Sequence, residues 1–244
     1  MKKDWFCSWF NSPYYPVLYK DRDMEEAQFF IDNLLQFIKP VENARILDIA
    51  CGRGRHSLYL NQKGFNVVGI DLSDRSIEYA KQFENEKLSF FIHDMRKPSR
   101  INYFDYALNL FTSFGYFEKE EDNIKAINSF AKALKPSGTL VLDYMNTKKI
   151  VKFLIQEEIK TIENITFKIT RNVKDGFIIK KIAANDNSKI VDYEEKVRLI
   201  ALDTFEKYFD ECGLKIIHVF GDYHLNKYNE EVSDRLILLA ERKG

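Results

Sequence analysis

No two cysteines of this chain stand near each other. Cys7, Cys51 and Cys212 are odd in number and show no Cys-x-x-Cys spacing. That argues against a disulfide framework, a zinc site and a Cys-ligated iron–sulfur cluster. Long apolar runs are missing too: none approaches the roughly 20 residues of a membrane span. The opening stretch MKKDWFCSWFNSPYYP is broken by Asp4, Asn11 and two prolines, so it has no signal-peptide core. Net charge is also missing, since Lys+Arg and Asp+Glu each total 37. That balance argues against a nucleic-acid binder held mainly by phosphate contacts. Together these absences predict a soluble cytoplasmic protein with no metal, no nucleic-acid partner and no membrane partner.

What is present is core material. The 244 residues are 45% hydrophobic, with 20 Phe and 13 Tyr, enough for one large domain or a domain with an appendage. From residue 44 short β-rich runs alternate with helical patterns. Strands are predicted at 44–50, 66–71, 88–94, 104–111 and 139–145, with helices at 55–63, 74–84 and 119–134 and a KPSG turn at 135–138. This alternation predicts an α/β fold around a parallel sheet. After a predicted helix at 147–159 the pattern changes. ITFKITRNV and FIIKKIAA flank Lys174-Asp175-Gly176, a hairpin signal, and YEEKVRLIAL (193–202) offers a third antiparallel strand. A helix at 203–212 and strands at 215–223 and 234–242 close the chain. The predicted division is a helical lid segment over 1–40, a core from 41–150 and 200–244, and an antiparallel β insertion or substrate cap over 151–199.

The stretch ARILDIACGRGRHSLYL (44–60) reads as strand, turn and helix. Gly52 and Gly54 begin a G-x-G pattern, but Ser57 stands where a dinucleotide fingerprint needs its third glycine. The Walker pattern is absent as well. Asp48 lies inside the motif, where it would repel a pyrophosphate but suit a ligand bearing an ammonium and a sulfonium. Asp71 ends the second strand, 23 residues on, near the spacing of an acid that binds ribose hydroxyls. Asp94, in His93-Asp94-Met95, ends the third. Each acid alone can be a helix cap. Three acids at the carboxyl ends of three strands mark one ligand edge.

In LDIACGRGRHS, VVGIDLS, FFIHDM and LKPSGTLVLDYMN the chain resembles the class I S-adenosylmethionine-dependent methyltransferases over about residues 44–146. The resemblance implies a Rossmann-like seven-stranded sheet with a reversed last strand, and S-adenosyl-L-methionine as cofactor. It implies that Gly52 and Gly54 let the backbone approach the cofactor beside Asp48, Ala50 and Cys51. Asp71 would hold the ribose hydroxyls and Asp94 the adenine amine, with Leu72, His93 and Met95 near the adenine. Asn109 and Phe111 would lie beside the cofactor, in the segment 109–117 that borders the reactive methyl. The segment SPYYPVLYKDRDMEEAQFF resembles the part of small bacterial members that closes over the cofactor. Tyr14, Tyr15 and Tyr19 are then lid candidates, and Arg22 a partner for the methionine carboxylate. Packing of these tyrosines against the sheet is the alternative. His56 is read as a packing or capping residue.

Nearer the acceptor the resemblance places Ser113, Phe114 and Tyr116, with core packing as the alternative for Phe111 and Phe114. Tyr144, Asn146, Tyr193, Arg198, Tyr223, His224 and Tyr228 are further cleft candidates, and Arg235 ranks below them. The aromatic balance favours a small or medium organic acceptor, planar or cationic, methylated on O or N. No catalytic residue can be named, because the cofactor supplies the leaving group and a base is needed only if the acceptor keeps its proton. A non-catalytic cofactor-binding or scaffold protein and an NAD(P) oxidoreductase are the alternatives, and a homodimer is possible through exposed strand edges.

Overall fold

The computed structural model describes residues 5–20, 24–187 and 189–244. Seven strands form the main sheet: β1 (Arg45–Ile49), β2 (Asn66–Asp71), β3 (Leu88–Ile92), β4 (Phe104–Asn109), β5 (Leu134–Met145), β10 (Leu214–Phe220) and β11 (Arg235–Arg242). Their order is β10-β11-β5-β4-β1-β2-β3. β1 pairs in parallel with β2 and β4, β2 with β3, and β4 with β5, whereas β11 runs antiparallel to both β5 and β10. The Rossmann-like methyltransferase sheet with its reversed last strand is therefore present. β1, β2 and β11 carry runs of consecutive buried residues, as strands covered on both faces must.

Helices supply that cover. On α3 (Met24–Ile38), Ala27, Phe30, Ile31 and Leu34 are buried, the 3.6-residue stripe of a half-buried helix. With α4 (Arg55–Gln62) and α5 (Asp74–Ala80) it encloses one core around Phe30, Leu60 and Phe90. On the opposite face, α6 (Glu120–Ala133) and α8 (Leu202–Glu211) bury Phe130, Phe205 and Phe209. No helix among the described residues is long and apolar enough to cross a membrane.

The antiparallel insertion has four strands, not three: β6 (Glu157–Ile162), β7 (Ile165–Lys174), β8 (Phe177–Asp186) and β9 (Lys189–Arg198). The helix predicted at 147–159 stops early, as α7 (Thr147–Lys152). Glu163 and Asn164 both adopt positive φ, 50° and 67°, the backbone of a two-residue hairpin turn. That turn pairs β6 with β7, and cross-strand pairing overrides helix propensity in 157–162. The third predicted insertion strand shifts to 189–198. The predicted KPSG turn lies inside β5, where Ser137 takes φ 60° and the register with β4 shifts, as in a bulge.

The N-terminal helices α1 (Trp5–Phe10) and α2 (Tyr15–Leu18) stand on the insertion. Trp9, Tyr14 and Leu18 pack against Phe167, Ile169, Ile182 and Ala184. Glu195, itself buried, accepts hydrogen bonds from Trp9 Nε1 and from Tyr19 Oη at 2.7 Å, and Lys180 Nζ lies 3.5 Å away.

Candidate active site

The carboxyl ends of β1, β2 and β3 converge on one turn. After β1 the chain passes through Ala50, Gly52 and Gly54, all at positive φ (60°, 54° and 84°). A non-glycine residue in that region is strained, and such strain gathers at ligand sites. The two glycines are needed for different reasons. A Cβ on Gly54 would lie 2.7 Å from the Phe90 ring, so this glycine serves packing, whereas a Cβ on Gly52 meets nothing within 4 Å and would project into open space. Asp71 holds the turn from the next strand. Its Oδ2 accepts from Gly52 N at 2.8 Å and its Oδ1 from Ser73 N at 2.7 Å. Burial raises its pKa, opposed by these amides.

Two partly open cavities meet at this turn. The first is lined by Ile70, Asp71, Leu72, His93, Asp94 and Met95, with Phe6, Tyr116 and Phe117. The second is lined by Asp48, Cys51, Arg53, Arg55, His56 and Phe111, with Pro16, Tyr19 and Lys20. Phe10, Tyr15, Ala50, Gly52, Ser76 and Ser113 border both.

The polar groups here are held. Asp48 is buried and accepts from Ser57 Oγ at 2.6 Å. The residue in place of a third glycine thus hydrogen-bonds the acid of the motif. Burial pushes the Asp48 carboxyl up to about 6, against the Ser57 hydrogen bond and with the nearby Asp71 charge. Burial, with the charges of Asp48 and Asp71, holds the Cys51 thiol well above its ordinary value, so it is no thiolate nucleophile. Burial and the Arg55 charge keep His56 neutral, and its Nε2 meets no hydrogen-bond partner. At Asp94, burial alone would raise the pKa, but the Arg96 guanidinium, 2.7 Å away, brings it below the usual carboxylate range.

The far wall rests on a residue that the sequence did not single out. Asp143, fully buried on β5, accepts from Phe111 N at 2.8 Å, from Arg235 Nε at 2.8 Å and from Tyr223 Oη at 3.2 Å. Arg235 Nη2 also donates to Thr112 Oγ1 at 2.9 Å. This network fixes the left-handed pair Phe111 (φ 59°) and Thr112 (φ 57°) just beyond β4. The only signal for it in the sequence was an acid inside an otherwise apolar strand.

Of the predicted cofactor residues, Tyr19, Asp48, Ala50, Cys51, Gly52, Asp71, Leu72, His93, Asp94, Met95 and Phe111 border the cavities. Tyr14 does not: it packs on the insertion, 3.5 Å from Asp186. Asn109 is buried and donates to Ile49 O. Arg22 lies outside the described residues. Of the predicted acceptor residues, Tyr15, Ser113 and Tyr116 border the cavities. The others are placed elsewhere because each is committed to packing. Phe114 is buried against Phe130 and Phe205, and Tyr144 is buried with its hydroxyl on Arg198 O. Asn146 holds the carbonyls of Glu230 and Ser233, with Tyr228 against it. Tyr223 stacks near Phe30 and Phe111, and the Arg198 guanidinium covers Phe177. His224 lies against Phe29, and Tyr193 against Trp9. No residue of β6–β9 lines either cavity; the N-terminal segment comes between. Phe6, Phe10, Ser12, Arg53, Arg55 and Arg75 line cavities without having been predicted.

Comparison with known proteins agrees with this geometry. Residues 46–138 match the model of a methyltransferase domain. The glycine/sarcosine N-methyltransferase of Halorhodospira halochloris is 30% identical over 232 residues, covering 91% of this chain and 82% of that protein. The glycine/sarcosine N-methyltransferase of Aphanothece halophytica is 28% identical over 91% of this chain and 83% of its own length. Among solved structures, an S-adenosylmethionine-dependent methyltransferase from Clostridium acetobutylicum ATCC 824 superposes with a TM-score of 0.80, at 22% identity, over 95% of this chain and 96% of that one.

Proposed function

The chain belongs to the class I S-adenosylmethionine-dependent methyltransferases, and we propose that it transfers the methyl group to the amine nitrogen of a small organic acceptor. The observation that carries the choice of nitrogen is the 30% identity to a glycine/sarcosine N-methyltransferase along 91% of the chain. The fit of the cofactor rests on the turn itself. The space that a Cβ on Gly52 would enter is open, so a ligand can approach the backbone there.

In this reading the first cavity takes the adenosine. Asp71 receives the ribose hydroxyls on lone pairs left over from the Gly52 and Ser73 amides, since a carboxylate offers about four acceptor sites. Leu72 and Met95 flank the adenine, and Asp94, oriented by Arg96, accepts from its amine. The backbone at Ala50 and Gly52 leads the methionine part into the second cavity, beside Tyr19, Cys51 and Phe111.

When bound, S-adenosylmethionine supplies a methyl group on positively charged sulfur, which leaves without acid assistance. The chain's own task is alignment and exclusion of water. Phe10, Tyr15 and Ser113 border both cavities, where the two ligands must meet, and the two rings there shield the path. An amine that enters unprotonated needs no base, whereas a hydroxyl acceptor would.

The test is transfer of labelled methyl from S-adenosylmethionine to paired acceptors that differ only in carrying an amine or a hydroxyl. Methylation of the amines alone supports this reading. Methylation of the hydroxyl partners overturns the choice of nitrogen. Cofactor binding without turnover across a metabolite extract favours a binding protein.

A further inference from the structure

The second cavity is markedly cationic. Among the described residues that line it, Lys20, Arg53, Arg55 and Arg75 are basic and Asp48 alone is acidic. Lys20 pairs with Glu163, and the Arg55 guanidinium lies 4.0 Å from the centre of the Phe111 ring. Arg53 and Arg75 make no ion pair with any described carboxylate. Both nevertheless line this cavity. The Arg53 guanidinium lies 4.7 Å over the Tyr79 ring, and Tyr79 follows Arg75 by four residues on α5, which places the two on one helix face.

The cofactor cannot neutralise this wall. Its ammonium and sulfonium outnumber its one carboxylate, so a bound S-adenosylmethionine adds positive charge to the cavity. A cationic acceptor would meet repulsion from these basic residues, and like charges brought together at a recognition site select against such a ligand. Resting on the methyltransferase reading above, we propose that the acceptor carries a carboxylate or phosphate group, and that Arg53 and Arg75 hold it. Planar guanidinium groups suit both anions, because each offers paired N–H donors.

The test titrates inorganic phosphate and, separately, malonate into the full chain saturated with S-adenosylhomocysteine, by calorimetry at constant ionic strength. The wild type is compared with the double variant Arg53→Gln/Arg75→Gln. The expected result is that one of the anions binds the loaded wild type, which identifies the phosphate or carboxylate source. The double variant should bind it about tenfold or more weakly and bind S-adenosylhomocysteine unchanged. The proposal is overturned if neither anion binds the loaded wild type, or if the variant retains the wild-type anion affinity. It is also overturned if the variant loses S-adenosylhomocysteine, because the arginines would then serve the cofactor. Failure of the wild type to take up S-adenosylhomocysteine overturns the underlying methyltransferase reading, and is distinct from loss of the anion alone.

Discussion

The amide of Gly52 donates to the carboxylate of Asp71 at 2.8 Å, so the acid that ends β2 sets the turn that ends β1. One side chain thereby shapes the ligand-facing backbone and stands at the first cavity. Asp71→Ala should weaken binding of S-adenosylhomocysteine by roughly 10- to 150-fold, the equivalent of about 1.5–3 kcal/mol for hydrogen bonds to a charged group. Asp71→Asn, which keeps one acceptor oxygen, should fall between. Calorimetric affinities equal to wild type would remove Asp71 from the site.

Gly52 and Gly54 should respond differently to alanine. At Gly52 the cost is the left-handed backbone, about 1–2 kcal/mol, and the new methyl enters ligand space, so binding should suffer more than folding. At Gly54 the methyl strikes Phe90 at 2.7 Å. Overpacking of about 1–3 kcal/mol then adds to the backbone strain. Thermal melts should show the larger loss for Gly54→Ala, partly recovered by Phe90→Leu. Equal melting shifts at both positions would refute the division.

The buried Asp48 predicts a pH effect. Its carboxyl titrates at about 6 in the fold, against an ordinary value of 3.8, so between these values the folded chain holds a proton that the unfolded chain has lost. Its contribution to stability therefore falls as pH rises from about 4 to 6 and stays lost above. Asp48→Asn, which can still accept from Ser57, should be the more stable chain at pH 7.5 by about 3 kcal/mol and should lose most of that advantage at pH 4.5. Urea titrations at the two pH values measure the difference, and a gap that does not change with pH would contradict it.

Asp143 and Arg235 form a buried pair, with the carboxylate fully covered. Asp143→Ala would leave the guanidinium without its counter-ion and should cost about 3–5 kcal/mol. Adding Arg235→Met should recover a good part of that, because no uncompensated charge remains. Denaturant midpoints of the two variants decide it. A double variant no more stable than the single one would place the loss elsewhere.

Glu195 joins the N-terminal segment to the insertion, and through Tyr19 to the second cavity. Glu195→Ala would strip an acceptor from Trp9 and Tyr19 and a counter-charge from Lys180. Hydrogen exchange should accelerate over residues 5–20, and affinity for S-adenosylhomocysteine should fall several-fold. Replacing residues 161–199 with a linker would be a cruder test, because it would also uncover Trp9, Tyr14 and Leu18. Unchanged exchange in Glu195→Ala would show that the two segments are held by apolar packing alone.

Much of this site was legible in one dimension because it is local. Strands buried on both faces announce themselves as apolar runs, and the residues at their carboxyl ends share one edge whenever the strands are parallel. Asp48, Gly52, Asp71 and Asp94 could therefore be placed together from spacing and family resemblance. The four-stranded insertion was less legible. Its first strand, Glu157–Ile162, is an edge with one exposed face, and its pairing depends on a turn of two non-glycine residues that carries no strong signal.

Tertiary structure alone decided which polar and aromatic side chains face the ligand space. Tyr144, Asn146, Tyr223 and Arg235 are cleft candidates by sequence, yet the sheet order sets β11 beside β5 and β5 beside β4 and draws most of them into a shared interior. There a buried polar group must find a partner, and Asp143, Thr112, Arg198 O and Ser233 O provide one. The cationic wall arises in the same way. Arg53 and Arg75 are 22 positions apart in sequence and line one cavity only because the turn after β1 folds against α5. The sequence alone determined the alternating α/β pattern and the ligand-bearing edge, because each follows from the periodicity and spacing of neighbouring residues, while the family and the reversed last strand entered through the resemblance of its motifs. The contacts that line the cavities follow from strand order and packing, which bring together residues far apart in the chain.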